Sequence, residues 1–153
     1  DVTRSIRLVD QLLQQLGYDP VQTRLSPDMW QILDGPGEVL VLLSENGNEV
    51  TFRVPMVELP KTEHEALYRF LLTLSDTASG HASLCITPRR TIDMVFTETT
   101  LFLNAAEVAT KLQGLTTTSR KVRDVLVHKF GAKPLTIGQW REGFARETHA
   151  ASS

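Results

Sequence analysis

Apolar residues change their spacing along this chain in a fixed order, from helix period to strand period and back. Val2, Ile6, Val9, Leu13 and Leu16 recur every three or four residues with Gln and charged side chains between them, so one apolar stripe runs along a helix. Gly17 stands where a helix end takes a residue of positive φ, and Tyr18-Asp19-Pro20 opens an irregular connection. Met29-Trp30-Gln31-Ile32-Leu33 reads as a short strand. Residues 39–43 are apolar throughout, the mark of a strand covered on both faces. Glu45-Asn46-Gly47-Asn48 carries the Asn-Gly pair of tight hairpins. In the partner strand Val50, Phe52, Val54 and Met56 alternate with Thr51 and Arg53. Pro55 has no N–H to give a ladder, which predicts an edge position or the end of pairing there.

Pro60 and Thr62 introduce the next helix, with Thr62 and Glu65 spaced as a capping box. Leu67, Phe70, Leu71, Leu74 and Ala78 form its stripe and Gly80 closes it. A second hairpin follows: Ala82, Leu84 and Ile86, a Pro88-Arg89-Arg90 turn, then Ile92, Met94 and Phe96 alternating with Thr91, Asp93 and Thr97. Asn104 is an N-cap for a helical face through Val108, Ala109 and Leu112. Thr116-Thr117-Thr118 predicts a break, and Val122, Val125, Leu126 and Phe130 continue as a further helix to Gly131. The resulting order, α-β-β-β-α-β-β-α, predicts an α+β fold: a twisted antiparallel sheet of about five strands with one face packed by helices. Residues 1–133 form that single domain. Residues 134–153 are a polar C-terminal tail with a short helix around Ile137, Trp140 and Phe144, and its end, from Thr148, is expected to be unstructured.

Composition narrows the function. The 153 residues are 41% apolar and 22% charged, with a net charge of −2, ordinary values for a globular domain. No basic run neutralises a row of phosphates, which argues against nucleic acid, and no stretch is apolar over the length of a membrane span. The opening Asp-Val-Thr-Arg-Ser-Ile-Arg is polar, unlike a signal peptide. The single Cys85 suits a reducing cytoplasm and a packed strand position. His64, His81, His128 and His149 stand singly, so they offer no metal-ligand spacing. Gly35-Pro36-Gly37 lacks the Lys and Ser/Thr of a phosphate loop. Asp93 and Glu98 read as solvent-facing strand charges. No catalytic residue, cofactor or metal is predicted. Trp140 and Phe144, by contrast, are aromatic residues in a tail otherwise poor in apolar side chains, which suits a partner contact.

The hairpin leading into Val54-Pro55-Met56-Val57-Glu58-Leu59-Pro60, followed by Ala66-Leu67-Tyr68-Arg69-Phe70-Leu71-Leu72-Thr73-Leu74, resembles the YbjN-type, type III secretion chaperone-like proteins, with cyanobacterial members nearest. The ending Arg123-Asp124-Val125-Leu126-Val127-His128-Lys129-Phe130-Gly131 is similar to that family's Leu and Phe-Gly close. The resemblance covers most of residues 1–133. It departs at Ser75, where the family pattern has an Asn, in the added Trp140-containing tail, and in a net charge less acidic than the secretion chaperones carry. It implies a non-enzymatic cytoplasmic binding or regulatory protein, a homodimer with a protein or peptide partner. Thr91, Asp93 and Thr97 on the second hairpin, with Trp140 and Phe144, are the expected partner or dimer contacts. Two alternatives stay open. One is a small-ligand pocket lined by Met29, Trp30 and Met94; the other is an enzyme whose site is assembled from distant residues, such as His64 beside Asp93 or Glu98.

Overall fold

A computed structural model describes residues 1–35, 37–62, 64–77 and 82–152, and all side chains among them except those of 75–77 and 147–152. Pro36, Ala78, Gly80, His81 and the side chains of Ser75 and His149, all singled out in the sequence, lie outside the described residues.

Helix α1 (Val2–Gln15) starts at Asp1, whose carboxylate accepts the Thr3 N–H at 3.0 Å. It ends as its sequence predicts. Gly17 has φ +93° and donates to the Gln14 carbonyl, and Tyr18 donates to that of Leu13; these are the two bonds of a Schellman motif. A one-turn helix α2 (Pro20–Thr23) follows, capped by Asp19. It leads into β1 (Arg24–Ser26), a strand the pattern does not announce because three residues are too few to show alternation. The remaining strands are β2 (Met29–Asp34), β3 (Gly37–Leu43), β4 (Glu49–Glu58), β5 (Ser83–Ile86) and β6 (Thr91–Thr99). Helix α3 (His64–Thr77) joins β4 to β5; a 3-10 turn (Thr100–Phe102), α4 (Ala105–Phe130) and α5 (Ile137–Ser152) complete the chain.

The sheet has six antiparallel strands in the order β1-β2-β3-β4-β6-β5. Its register puts Trp30 opposite Val41, Val41 opposite Phe52, and Phe52 opposite Phe96. All four side chains are buried on one face, where they pack with Val9 and Leu13 of α1, Leu67 of α3 and Leu112, Leu115 and Leu126 of α4. Phe52 and Phe96 stack with ring centroids 4.6 Å apart.

Three expectations need correction. Helix α4 is continuous through Thr116-Thr117-Thr118, because the Thr116 hydroxyl donates back to the Leu112 carbonyl at 3.1 Å and also meets Asp34 at 3.2 Å. The threonine is thus satisfied inside the helix. Helix α5 runs on to Ser152, through residues expected to be unstructured. The sheet is also covered on more than one face: Met29 and Leu40, on the side away from α1 and α4, bury against Leu135, Ile137 and Trp140. That second cover explains the unbroken apolar run of β3. Pro55 lies at a β-bulge in β4, past the last β3 partner at Arg53, so its missing N–H costs no bond to β3.

The β3–β4 hairpin tip is packed against α1. Gly47 has φ +78°, and a Cβ there would stand 2.9 Å from Ser5 Oγ and 3.2 Å from the Val2 Cα. Gly47→Ala combines a left-handed backbone with a clash against main chain, and we expect a loss of about 1–3 kcal/mol. Urea unfolding should show a lower midpoint at unchanged slope.

Candidate functional site

The second face of the sheet holds a cluster that alternation alone placed in solvent. Asp93 faces away from Ile92 and Met94, as the strand period requires, yet it is 0% exposed. Its cross-strand partner is Pro55, so Arg53 lies on the diagonal of the same face. The Arg53 guanidinium pairs with Asp93 Oδ2. The Thr91 hydroxyl donates to Oδ1 at 3.1 Å, and the Trp140 indole N–H donates to Oδ2 at 3.1 Å. Thr87 and Thr91 hydroxyls meet at 2.7 Å, and the Thr91 N–H donates to Thr87 Oγ1 at 3.2 Å. Burial pushes the Asp93 carboxyl up from the ordinary Asp range, while Arg53, Thr91 and Trp140 pull it back in part.

Trp140 is the lid of this cluster. Its ring lies 5.5 Å from the Arg53 guanidinium and 4.2 Å from that of Arg89, distances at which cations and indole faces attract. Arg89 also donates to the Trp140 carbonyl at 2.9 Å. Phe144, one turn on, stacks against Trp140 at 5.3 Å and remains 38% exposed. The segment entering α5 is tied to the bulged end of β4. Glu58 donates to the Lys133 carbonyl and Leu135 to that of Met56, and Pro134 bridges to Val57. Beside α5 opens a cleft of about 330 Å³ lined by Leu42, Thr51, Arg53, Cys85, Arg89 and Phe144, among others. Arg53 Nε is buried there without a hydrogen-bond partner.

Of the five predicted contact residues, the structure brings together Thr91, Asp93, Trp140 and Phe144. Thr97 stands apart and exposed, its hydroxyl 3.1 Å from that of Thr51. Asp93 is therefore a buried anchor and not the solvent-facing charge expected. Glu98, the other such charge, is partly buried and paired with Lys111. Arg53, Thr87 and Arg89 were not singled out. The diagonal between Arg53 and Asp93 was the one signal available, and it needed the register of two strands that are not neighbours in sequence. Met29, Trp30 and Met94 do not share a pocket: Met29 packs with the second-face cluster and the other two with the main core. His64 turns to the Pro60 carbonyl and packs 5.6 Å from Tyr68, away from both carboxylates. Among the described residues, no three His, Cys, Asp or Glu side chains gather as a metal site, and no helix is long and apolar enough to cross a membrane.

No family model matches the sequence, and no curated protein does. Solved structures do match in fold. A chain of the heterodimeric ExoU–SpcU complex from the type III secretion system of Pseudomonas aeruginosa superposes with a TM-score of 0.61 at 12% identity, covering 76% of this chain and 96% of its own. A chain of the HopA1–SchA chaperone–effector complex gives 0.59 at 12% identity, covering 81% and 98%. YbjN from E. coli gives 0.54 at 15% identity, covering 86% and 96%. The chain has the secretion chaperone-like, YbjN-like α+β fold.

Removing the carboxylate while leaving its partner isolates the cluster's electrostatics. Asp93→Ala strands the Arg53 charge beneath Trp140 and is expected to cost about 3–5 kcal/mol. Removing both charges, by Arg53→Met with Asp93→Leu, is expected to restore most of that stability. Chemical denaturation of the three proteins checks both statements; equal losses in single and double variants would contradict them.

Proposed function

We propose that this chain is a non-enzymatic, chaperone-like protein-binding domain that works in the cytoplasm as a homodimer. The observation that carries the reading is large apolar side chains left in water on a fold whose solved examples include a chaperone–effector complex. On α3, Leu72 is 70% exposed and Tyr68 lies half in the open beside it. Helix α3 packs beside β5, the open edge of the sheet, where Ile86 is also exposed. On the 3-10 turn, Leu101 is 66% and Phe102 78% exposed. Isolated exposed apolar residues are ordinary, but two groups of them, one beside an unpaired strand edge, are what association would cover.

In this reading the α3–β5 edge supplies the dimer seam and the remaining apolar surface serves a partner's segment. Residues 1–133 are the binding domain and 134–153 its appended cover. Thr97 and Phe144, at the surface, can reach a partner directly; Thr91, Asp93 and Trp140 act from beneath by fixing α5.

Light scattering after size exclusion tests the seam. Full chain is expected at twice the monomer mass, and Leu72→Glu at the monomer mass with an unchanged far-ultraviolet circular dichroism spectrum, because the side chain is exposed in the single chain; its unfolding midpoint should lose the dependence on protein concentration that dimerisation gives the unaltered chain. A wild-type monomer would remove the dimer. Panning the full chain against a phage-displayed library of random peptides tests binding. Enriched peptides with a shared apolar spacing support it; no enrichment over an unrelated domain would contradict it.

A further inference from the structure

Pairing of β3 with β4 ends at Leu40 and Arg53, short of Pro55, which has no N–H to continue a ladder. Past that point β4 takes another neighbour. The Leu135 N–H donates to the Met56 carbonyl, and the Glu58 N–H to that of Lys133. The first residues of β3 are left without a partner in β4. A cleft of about 500 Å³ lies there, lined by Gly37, Glu38 and Val54 of the sheet, by Ser119, Arg120 and Arg123 of α4, and by the segment entering α5; small-molecule pockets have volumes of this size. Arg123 reaches the main chain that β3 has left: Nη2 donates to the Pro55 carbonyl at 2.6 Å and Nε to that of Met56 at 3.1 Å. A guanidinium has five N–H groups, and among the described residues the other three meet no acceptor and no carboxylate pairs with them. Burial pushes this guanidinium down from its ordinary range, against the pull of neighbouring Asp124. Arg120, one turn earlier, is exposed on the same cleft and forms no ion pair among the described residues. The acid in the wall is Glu38, itself exposed. Leu33 stands in the wall 62% exposed, with Leu135 and Ile137 as further apolar lining.

We infer that this cleft binds a small organic anion, a monocarboxylate with an apolar body, its oxygens on Arg123 and Arg120 and its body against Leu33, Leu135 and Ile137. The inference goes beyond the protein-binding reading and does not depend on it. Charge and lining together choose the class. Guanidinium groups give carboxylates paired, charge-assisted bonds. Arg123 is already held by two carbonyls, so little side-chain freedom is lost when an anion arrives. An inorganic anion would leave Leu33 in water, and an uncharged apolar molecule would cover the guanidinium groups without meeting them, which is costly. Thr136, also in the lining, adds a donor: its hydroxyl oxygen accepts the Gln139 N–H at 3.1 Å, which leaves its own hydrogen to give. Glu38 sets the charge of the ligand, since two cations against one carboxylate favour a single negative charge over two. A bound anion touches α4, the start of β3 and the entry to α5 at once, and so stabilises the folded chain by mass action.

The probe is 4-phenylbutyrate, titrated into the nitrogen-15-labelled full chain and followed by amide NMR. Its uncharged counterpart 4-phenylbutyramide and inorganic phosphate are titrated beside it. With the carboxylate we expect saturable shifts at Gly37, Glu38, Ser119 and Arg120, with a Kd below about 1 mM, and binding at least about ten-fold weaker for the amide. Arg120→Gln should weaken the carboxylate about ten-fold, and Glu38→Gln should strengthen it. Lys121→Gln, the next residue of α4 but outside the cleft wall, should leave it unchanged. All three side chains are exposed, so each variant should keep the amide spectrum of the fold. Absence of saturation would overturn the inference, as would an amide that binds as tightly as the acid. Phosphate that displaces the carboxylate at equal concentration would overturn it too, by showing that the apolar body contributes nothing. Equal weakening by Arg120→Gln and Lys121→Gln would reduce the binding to general surface charge and overturn the site.

Discussion

A carboxylate without water governs the second face of this sheet. Asp93 is fully buried, and an isolated charge so placed would cost more than a domain's whole stability margin. It is tolerable because one guanidinium, one hydroxyl and one indole N–H converge on its two oxygens. Each partner comes from a different part of the chain, so the carboxylate fixes their relation. A one-residue slip of β6 would carry Asp93 into the apolar core and Met94 out of it. The same requirement fixes where α5 lies, since only Trp140 supplies the third bond. The fold therefore carries a polar register mark where purely apolar packing would allow sliding.

The two tryptophans of the chain are held by the same chemistry on opposite faces. Trp30, on the main-core face, donates its indole N–H to Asp10 of α1 at 3.0 Å. Asp10 pairs with Arg24 at 2.5 Å, and the Arg24 guanidinium lies 5.2 Å from the Trp30 ring. Trp140 repeats that trio with Asp93 and Arg53. In each case an amphipathic ring buries its body and hands its one donor to a carboxylate that an arginine has neutralised. The difference is in which group travels. Trp30 belongs to the sheet and captures a helix; Trp140 belongs to a helix and is captured by the sheet. Asp10 and Arg24 are each a quarter or more exposed, whereas Asp93 is not exposed at all. Water can replace a lost partner at the first site and not at the second.

Periodicity made most of the architecture legible. The α1 stripe, Gly17, the Asn-Gly hairpin and the alternation of β4 and β6 each state one face, and together they give the element order. What alternation cannot state is what lies over the other face. Asp93 between Ile92 and Met94 reads as a polar outward residue in any strand, and only contact with a segment far along the chain reverses the reading. The continuous run of β3 did signal a covered second face, and Trp140 and Phe144 did signal a tail with something to bury. Joining those signals required knowing that β3, β4 and β6 are adjacent. The Thr116 break failed for a local reason: a threonine hydroxyl can bond its own helix as readily as it can end one, and propensity alone does not choose between them.

The two faces differ in how firmly they are closed, and that asymmetry bears on what the molecule can do. On the first face, three helices and four central strands share one apolar core, so no element leaves it without unfolding its neighbours. On the second, a single helix rests on a small apolar floor and a polar cluster. Polar anchors of this kind select geometry strongly, because a buried carboxylate that loses a partner cannot exchange it for water. Here the anchor is the sheet and the paired charges that cross it. The segment it positions follows Gly131, whose positive φ of 64° ends α4 and lets the chain turn back to the end of β4.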